Sequence, residues 1–196
     1  MLKGIAARAA GIFAVFTVVC GIGYTLVVTG VAQLAFPHQA NGSLIQVDGR
    51  TLGSELIGQD FEEAGHMWGR IQNVTVVEGA DGELYAYGAP SNLSPASEEY
   101  AELVEQRVEK LRASNPDATA DTVPVDLVTC SGSGLDPDIS PEAAAYQVPR
   151  LVAETGKSAD EIRDIIEQCT TGRFLGIFGE PVVNVLKVNL MLDGEL

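Results

Sequence analysis

The chain has 196 residues, of which 46% are hydrophobic, and a formal net charge of −15 at pH 7. This length suits one ordinary domain with a short appendage. Such acidity excludes nucleic-acid binding through a basic surface, because phosphate backbones would be repelled. Residues 9–47 contain no Asp, Glu, Lys or Arg, and all 27 acidic residues lie at or after Asp48. We therefore expect an apolar segment followed by an acidic domain.

The apolar segment covers residues 9–36 and ends before Pro37. An α-helix needs about 20 residues to cross the hydrocarbon core of a bilayer, and this segment is longer. A cleaved signal peptide is the alternative, but its apolar core usually has about 7–15 residues and a small-residue cleavage site. The best such site here, at residues 32–35, is interrupted by Gln33 and Leu34. The segment therefore predicts a transmembrane helix.

The charges at the two ends of this helix predict its orientation. Lys3 and Arg8 lie in the stub at residues 1–8, whereas the residues that follow the helix begin uncharged. By the positive-inside rule the stub lies in the cytoplasm. Residues 37–196 then form an extracytoplasmic domain, for which alternating helix-like and strand-like stretches predict an α+β fold.

Small residues recur along the apolar helix at intervals of three, four or seven. This spacing places them on one face of the helix. Small residues at an interface let the backbone of a second membrane helix approach closely. We therefore predict a helix-interface seam that consists of Ala10, Ala14, Thr17, Gly21, Thr25 and Ala32.

Five strands are predicted in the domain. A short strand at 43–47 ends at an Asp-Gly pair, and strands at 73–77 and 84–87 form a hairpin across a loop that also contains Asp-Gly. Alternating apolar residues at 123–127 predict an edge strand, since the stretch contains a proline. A final strand is predicted at 181–192.

Three helices are predicted between these strands. The first lies between residues 94 and 116 and has an acidic outer face. The second spans 140–156, with Ser-Pro-Glu at its start and glycine as its stop, and Pro149 should kink or interrupt it. The third begins with a capping box of serine and glutamate at 158–161 and ends at Gly172.

The residues that usually carry chemistry are sparse. His38 and His66 are too few and too far apart for a metal site or a catalytic triad. Cys20 lies in the apolar helix, so Cys130 and Cys169 are the two cysteines that could pair in an oxidising compartment. We predict no metal site and no catalytic residue.

Two local patterns have a functional and a structural interpretation. Asp136 and Asp138 flank a proline, where carboxylates commonly accept hydrogen bonds from nearby backbone amides, and an acid–base pair is the alternative. The loop at 131–134, Ser-Gly-Ser-Gly, superficially resembles a phosphate-binding loop. However, the Lys-Ser/Thr pair that such a loop needs does not follow it.

Seven segments, in order along nearly the whole chain, resemble the C subunit of the Kdp potassium-transporting P-type ATPase. They are PHQANGSL at 37–44, GSELIGQDF at 53–61, WGR at 68–70, SNL at 91–93, VPVDLVTCSGSGLDPDISP at 123–141, YQVPR at 146–150 and GEPVVNVL at 179–186. The chain departs from the family pattern between residues 71 and 90, where a hairpin-like insertion lies, and at Cys130.

The resemblance implies an accessory subunit of a high-affinity potassium uptake complex. In that complex a channel-like A subunit selects potassium, a B subunit hydrolyses ATP and a small F peptide assists, so ATP and potassium are handled by the complex. One proposal for the family is a catalytic chaperone that raises the ATP affinity of the B subunit, with Gln147 as a nucleotide contact. The orientation predicted above conflicts with it, because an extracytoplasmic Gln147 cannot reach cytoplasmic ATP. We prefer a stabilising cap over the channel entrance.

Two other classes of function stay open at this point. The first is a free-standing, membrane-tethered binding module that senses an external ligand. The second is an extracytoplasmic enzyme that uses Asp136 and Asp138 as its carboxylates.

Overall fold

The computed structural model describes residues 2–118 and 122–196, and the chain divides into two compact units. The first unit ends at Leu44 and the second covers Ile45–Leu196. The short helix α3 (Pro37–Ala40), which follows the apolar segment, belongs to the first unit.

The first unit is dominated by one continuous helix. It consists of α1 (Leu2–Phe16), a π-helical segment (Thr17–Gly23) and α2 (Tyr24–Ala35). Its stretch Gly4–Ala35 has a mean hydropathy of 2.2, and 0% of the most apolar window is buried within the chain. By length and composition this helix can cross a membrane.

The π-helical segment changes the geometry of the predicted seam. Here the backbone N–H of Tyr24 donates to the carbonyl of Val19, five residues back, so each turn takes up more residues than in an α-helix. One extra residue in a turn offsets everything after it by about 100°, since an α-helix has 3.6 residues per turn. Thr25 and Ala32 are therefore rotated away from the helix face on which Ala10 lies.

The second unit is built around a three-stranded antiparallel sheet. Strand β7 (Val182–Asn184) lies between β5 (Asp138–Ile139) and β6 (Thr170–Thr171). Helices α5 (Pro141–Thr155), α6 (Ala159–Gln168) and α7 (Val185–Leu192) contribute most of the surrounding core. The largest fully buried aliphatic side chains of this core are Ile139, Leu151, Ile162, Val183 and Val188.

Two hairpins lie outside this sheet, and the sequence predicted the second of them and the Asp-Gly end of the strand that begins the first. Strand β1 (Leu44–Val47) pairs with β2 (Arg50–Ser54), which the sequence did not predict. The intervening Asp48 and Gly49 have positive φ angles of 50° and 77°, as the Asp-Gly signal requires. Strands β3 (Val74–Glu78) and β4 (Leu84–Gly88) form the predicted second hairpin.

The three predicted helices are present, with local differences. Helix α4 (Glu98–Ser114) begins three residues later than predicted. It follows Ser97, whose hydroxyl accepts the N–H of Tyr100. Ser140 and Gly156 cap α5 as predicted, and α6 has the predicted capping box. However, α6 ends at Gln168 and β6 follows it, so the prediction that it ends at Gly172 was wrong.

Pro149 does not interrupt α5, contrary to one of the predicted alternatives. The helix runs from Pro141 to Thr155, although an internal proline typically costs about 3 kcal/mol. The neighbouring residues Gln147, Val148, Arg150 and Leu151 are all buried. Tertiary packing therefore offsets the lost backbone hydrogen bond.

The edge strand predicted at 123–127 is instead a 3₁₀ turn at Val125–Leu127. Val125 is 65% exposed and Leu127 is 2% exposed, which a strand with both residues on one face would not give. The Asp126 carboxylate accepts the N–H of Ser140 at 2.8 Å, and Thr129 donates its hydroxyl to the Val125 carbonyl at 2.9 Å. These side-chain bonds favour the turn over a strand.

The final strand predicted at 181–192 was wrong beyond Asn184. The Asn184 side chain accepts the N–H of Lys187 at 3.1 Å and caps α7. Six of the eight residues in α7 are buried, so its apolar run lacked the polar face that reveals a helix. They are Val185, Leu186, Val188, Asn189, Leu190 and Leu192.

Candidate functional site

Residues 67 and 68 have their backbones held by two buried side-chain amides. Asn189 accepts the N–H of Met67 at 2.7 Å and donates to its carbonyl at 3.0 Å. Gln147 accepts the N–H of Trp68 at 2.8 Å and donates to its carbonyl at 2.9 Å. The two amides thus donate to and accept from this backbone as a neighbouring β-strand would. They satisfy backbone N–H and carbonyl groups that burial would otherwise leave unpaired.

Arg150 completes this network from α5 and is 4% exposed. It donates to the carbonyls of Ala64 and His66, to Oε1 of Gln147 at 2.7 Å and to Oδ1 of Asn115 at 3.3 Å. Burial lowers the pKa of Arg150 to about 10, so it stays charged at neutral pH. The charge of Glu154 opposes this shift, and the hydrogen-bond acceptors, which are neutral, compensate for the loss of water around the cation.

Two cations lie close to the ring of Trp68. The guanidinium of Arg150 is 4.4 Å from the ring centroid and the Nζ of Lys110 is 5.3 Å from it. Both distances are within the range of a cation–π interaction. The indole N–H donates to the carbonyl of Glu63 at 2.9 Å, which fixes the orientation of the ring.

Gln147, the predicted nucleotide contact, lies at the centre of this network with 0% of its surface exposed. Its Oε1 accepts from Trp68 and Arg150, and its Nε2 donates to the carbonyls of Trp68 and Ala143. A glutamine amide has two acceptor and two donor positions, so all four are used.

A cavity of about 190 Å³ lies beside Trp68, well below the 300–1,000 Å³ usual for small-molecule sites. Three cations line it, and each has a protein partner. Lys110 pairs with Glu62 at 3.0 Å, and Arg107 donates to the carbonyl of Val128 at 2.9 Å. Burial also lowers the pKa of Arg107. The third cation is Arg70.

Arg70 lies between two carboxylates at longer distances. Its nitrogens are 3.6 Å from Asp126 and 3.8 Å from Asp136. Asp136 accepts the N–H of Asp138 at 3.1 Å, which confirms the turn interpretation of this acidic pair. Asp138 in turn accepts from Asn184 at 3.0 Å, and burial raises the pKa of its carboxyl.

His66 packs against other side chains, and the two cysteines of the domain do not form a disulfide. His66 is 3.1 Å from Asp193 and packs edge-on against Phe61, with 5.6 Å between the ring centroids. Cys130 and Cys169 are both free, so the disulfide that the sequence allowed is not formed. Within residues 2–118 and 122–196, no group of three or more His, Cys, Asp or Glu could hold a metal ion.

Comparison with known proteins decides the family. The family model for the K⁺-transporting ATPase, c chain (KdpC), matches residues 6–194. The chain belongs to the KdpC family. A potassium-transporting ATPase KdpC subunit from Clostridium perfringens is 55% identical over 184 residues, 93% of each chain. Another, from Clostridium botulinum strain Eklund 17B, is 48% identical over 196 residues, 99% of this chain and 98% of the relative.

A third KdpC subunit, from Rhodopseudomonas palustris, is 48% identical over 189 residues, 93% of this chain and 92% of the relative. Family membership makes this chain an accessory subunit of a potassium uptake system, and it implies partner Kdp subunits. The resemblance found in the sequence is thereby confirmed.

Sequence reasoning missed most of the buried network. Asn189 was not assigned a role, Asn115 lay at the predicted end of a helix, and Trp68 and Arg150 were used only for the resemblance. One signal was present, since Asn189 is a polar residue inside an apolar run. Buried polar residues need partners, so such an isolated Asn indicates a structural hydrogen bond in the core.

Proposed function

We propose that this KdpC subunit stabilises a potassium-pumping ATPase by joining its membrane helix and its folded domain to the other subunits. The partners are a channel-like A subunit, an ATP-hydrolysing B subunit and a small F peptide. The observation that carries this proposal is the apolar helix, since none of its most apolar window is buried by its own chain. Helices with small residues in their faces can pack closely on neighbours in the bilayer.

The folded domain lies outside the cytoplasm in this proposal, and the helix crosses the membrane once. Lys3 and Arg8 precede the apolar segment, whereas the first Lys or Arg after it is Arg50. The positive-inside rule supports a cytoplasmic N-terminus from this asymmetry. The domain can then act as a cap over the channel entrance.

A direct nucleotide contact by Gln147 has little support from the geometry. The side chain is fully buried, and its four hydrogen-bonding positions are used within the domain. We assign Gln147 the structural role of holding the backbone of Trp68. An effect of this subunit on the ATP affinity of the B subunit would then act through the assembled complex.

Affinity purification from native membranes in mild detergent, followed by mass spectrometry, tests the proposal. We expect the A and B chains to co-purify with this subunit in reproducible proportion. Recovery of a solitary, stably folded chain would contradict it and would favour a tethered binding module.

A further inference from the structure

One loop of the domain exposes four large apolar side chains next to one another. Phe174 is 71% exposed, Leu175 73%, Ile177 71% and Phe178 62%. We call residues 173–178 the apolar loop. Single exposed apolar residues are ordinary, but a contiguous group of this kind on a folded domain indicates an interaction site.

The apolar loop has a defined conformation. The N–H of Phe174 donates to the carbonyl of Phe178 at 2.8 Å, and the N–H of Phe178 donates to the carbonyl of Phe174 at 3.0 Å. Arg173 and Glu180 form an ion pair that joins the two sides of its base. Since the loop connects β6 to β7, its ends are also fixed by the central sheet. It would therefore lose little conformational entropy on binding.

Leu175 has a backbone conformation that disfavours leucine. Its φ is 54°, and Gly176 follows with a φ of 72°. Gly or Asn would adopt this left-handed conformation with less strain than a large L-residue. Strained residues are retained where the surrounding structure or function requires them. Here the Leu175 side chain has no buried role, because most of it is in solvent.

We propose that the apolar loop is a docking tip that inserts into an uncharged, apolar cleft of a membrane-embedded partner subunit of the same ATPase. This rests on the proposed role of the chain in assembly. The cleft of the partner is uncharged because residues 174–178 carry no charge, and Glu180 neutralises Arg173 at the base of the loop. Aromatic residues are enriched in the cores of protein interfaces, as this chemistry requires.

Charge distinguishes this partner from two others. All 27 acidic residues lie at or after Asp48, so two copies of the domain would repel each other. An anionic lipid surface would repel the domain for the same reason, because membranes of this kind attract basic segments. A partner subunit with a neutral cleft carries neither penalty.

Site-specific photo-crosslinking in native membranes tests which partner the tip contacts. A photoreactive amino acid replaces Leu175 in the full chain, and in a control chain it replaces Val125, a single exposed apolar residue at 65%. We expect position 175 to cross-link to a membrane-embedded subunit of the ATPase, and position 125 not to do so. Cross-links only to lipid, or only to a second copy of this chain, would overturn the proposal.

The variant Leu175→Asn tests whether the contact supports assembly. Asn removes the apolar side chain and tolerates the left-handed conformation, so the domain should unfold at the same denaturant concentration or a higher one. We expect recovery of the partner chains to fall at least about fivefold, as for an interface residue worth more than 1 kcal/mol. Val125→Asn should leave that recovery unchanged.

The outcomes separate this proposal from the proposed function. If the unmodified chain brings its partners and Leu175→Asn brings the same amount, the docking tip is wrong and the role in assembly stands. If the unmodified chain itself purifies alone, both are wrong.

Discussion

Replacement of Gln147 tests whether this residue has a structural role or a nucleotide-binding role. Gln147→Leu keeps a similar volume but leaves the N–H and carbonyl of Trp68 and one donor of Arg150 without their partner. We expect the free energy of unfolding to fall by about 2–4 kcal/mol, since each unsatisfied buried group costs about 1–3 kcal/mol. Trp68 is the only tryptophan, so its fluorescence during denaturant unfolding measures the change.

Gln168→Leu is the matched control, because Gln168 is exposed near the end of α6. Its effect should stay within about 0.5 kcal/mol, as for most surface substitutions. The structural role of Gln147 would be refuted if Gln147→Leu left stability unchanged while the assembled pump lost ATP affinity.

Arg150 should not tolerate replacement by lysine. A lysine ammonium has three donors on one atom, whereas Arg150 uses three nitrogens spread across a planar group to reach separate acceptors. We expect Arg150→Lys to lower the free energy of unfolding by about 2–4 kcal/mol, because acceptors are left unpaired around a buried cation. Arg163→Lys, at a side chain that is 63% exposed, is the control. Equal melting temperatures for the two variants would contradict this role.

Asp138 predicts a pH dependence of stability. Burial raises the pKa of its carboxyl above 3.8, although the hydrogen bond from Asn184 and the charge of Lys187 oppose the shift. An acid that binds its proton more tightly when folded stabilises the fold most below its unfolded pKa. That contribution is lost as the pH rises through the raised pKa.

Asp138→Asn removes this titration and keeps an oxygen that can accept from Asn184. We therefore expect the variant to gain stability relative to the unmodified protein as the pH rises from about 3.8 to neutrality. Thermal unfolding of both proteins across this range measures the difference. Parallel pH profiles would show that Asp138 has the same pKa in the folded and unfolded states.

Among the helices and strands, local sequence signals were sufficient to predict an end of an element where one or two nearby residues determine it. Both caps of α5, the N-terminal capping box of α6 and the turn at Asp48 were predicted, because capping and positive φ depend on nearby residues. The 3₁₀ turn at Val125–Leu127 was not, since its hydrogen bond from Ser140 to Asp126 comes from fourteen residues away.

The buried network could not be derived from the sequence for a similar reason. Gln147 binds Trp68 across 79 residues of chain, and Asn189 binds Met67 across 122. No periodicity relates residues so far apart. Helix α7 was missed because both of its sides are buried, which removes the polar positions on which a helical pattern depends.

The membrane helix predicts a difference between two pairs of substitutions. Ala14→Leu and Gly21→Leu add bulk to the predicted seam. A Cβ at position 21 would lie 4.0 Å from the Thr17 methyl, which is an ordinary van der Waals contact. Leucine favours the bilayer, so insertion should survive while close packing on a partner helix is lost. We expect normal abundance in membranes and poor co-purification of partner chains.

Phe13→Leu and Val19→Leu are the controls for these variants, since both positions lie away from the seam. Co-purification should change little. If the two pairs behaved alike, the helix would be a plain anchor, and recognition would depend on the folded domain.

At the scale of the whole molecule, charge separates the two ends of the chain. The stub carries Lys3 and Arg8, and the folded unit carries every acidic residue. This distribution predicts which end stays in the cytoplasm, and it makes the domain a poor ligand for anionic surfaces. The cap over the channel entrance, the docking tip and the structural role of Gln147 all fit a domain outside the cytoplasm.

The side of the membrane on which the domain lies can be measured by thiol labelling of intact cells. Asp160→Cys is introduced into a chain that lacks Cys20, Cys130 and Cys169, because the Asp160 side chain is 92% exposed on α6. Ser54, at 9% exposure, would be unsuitable. We expect an impermeant thiol reagent to label this cysteine before lysis. Protection until lysis would place the domain in the cytoplasm and restore a direct encounter with ATP.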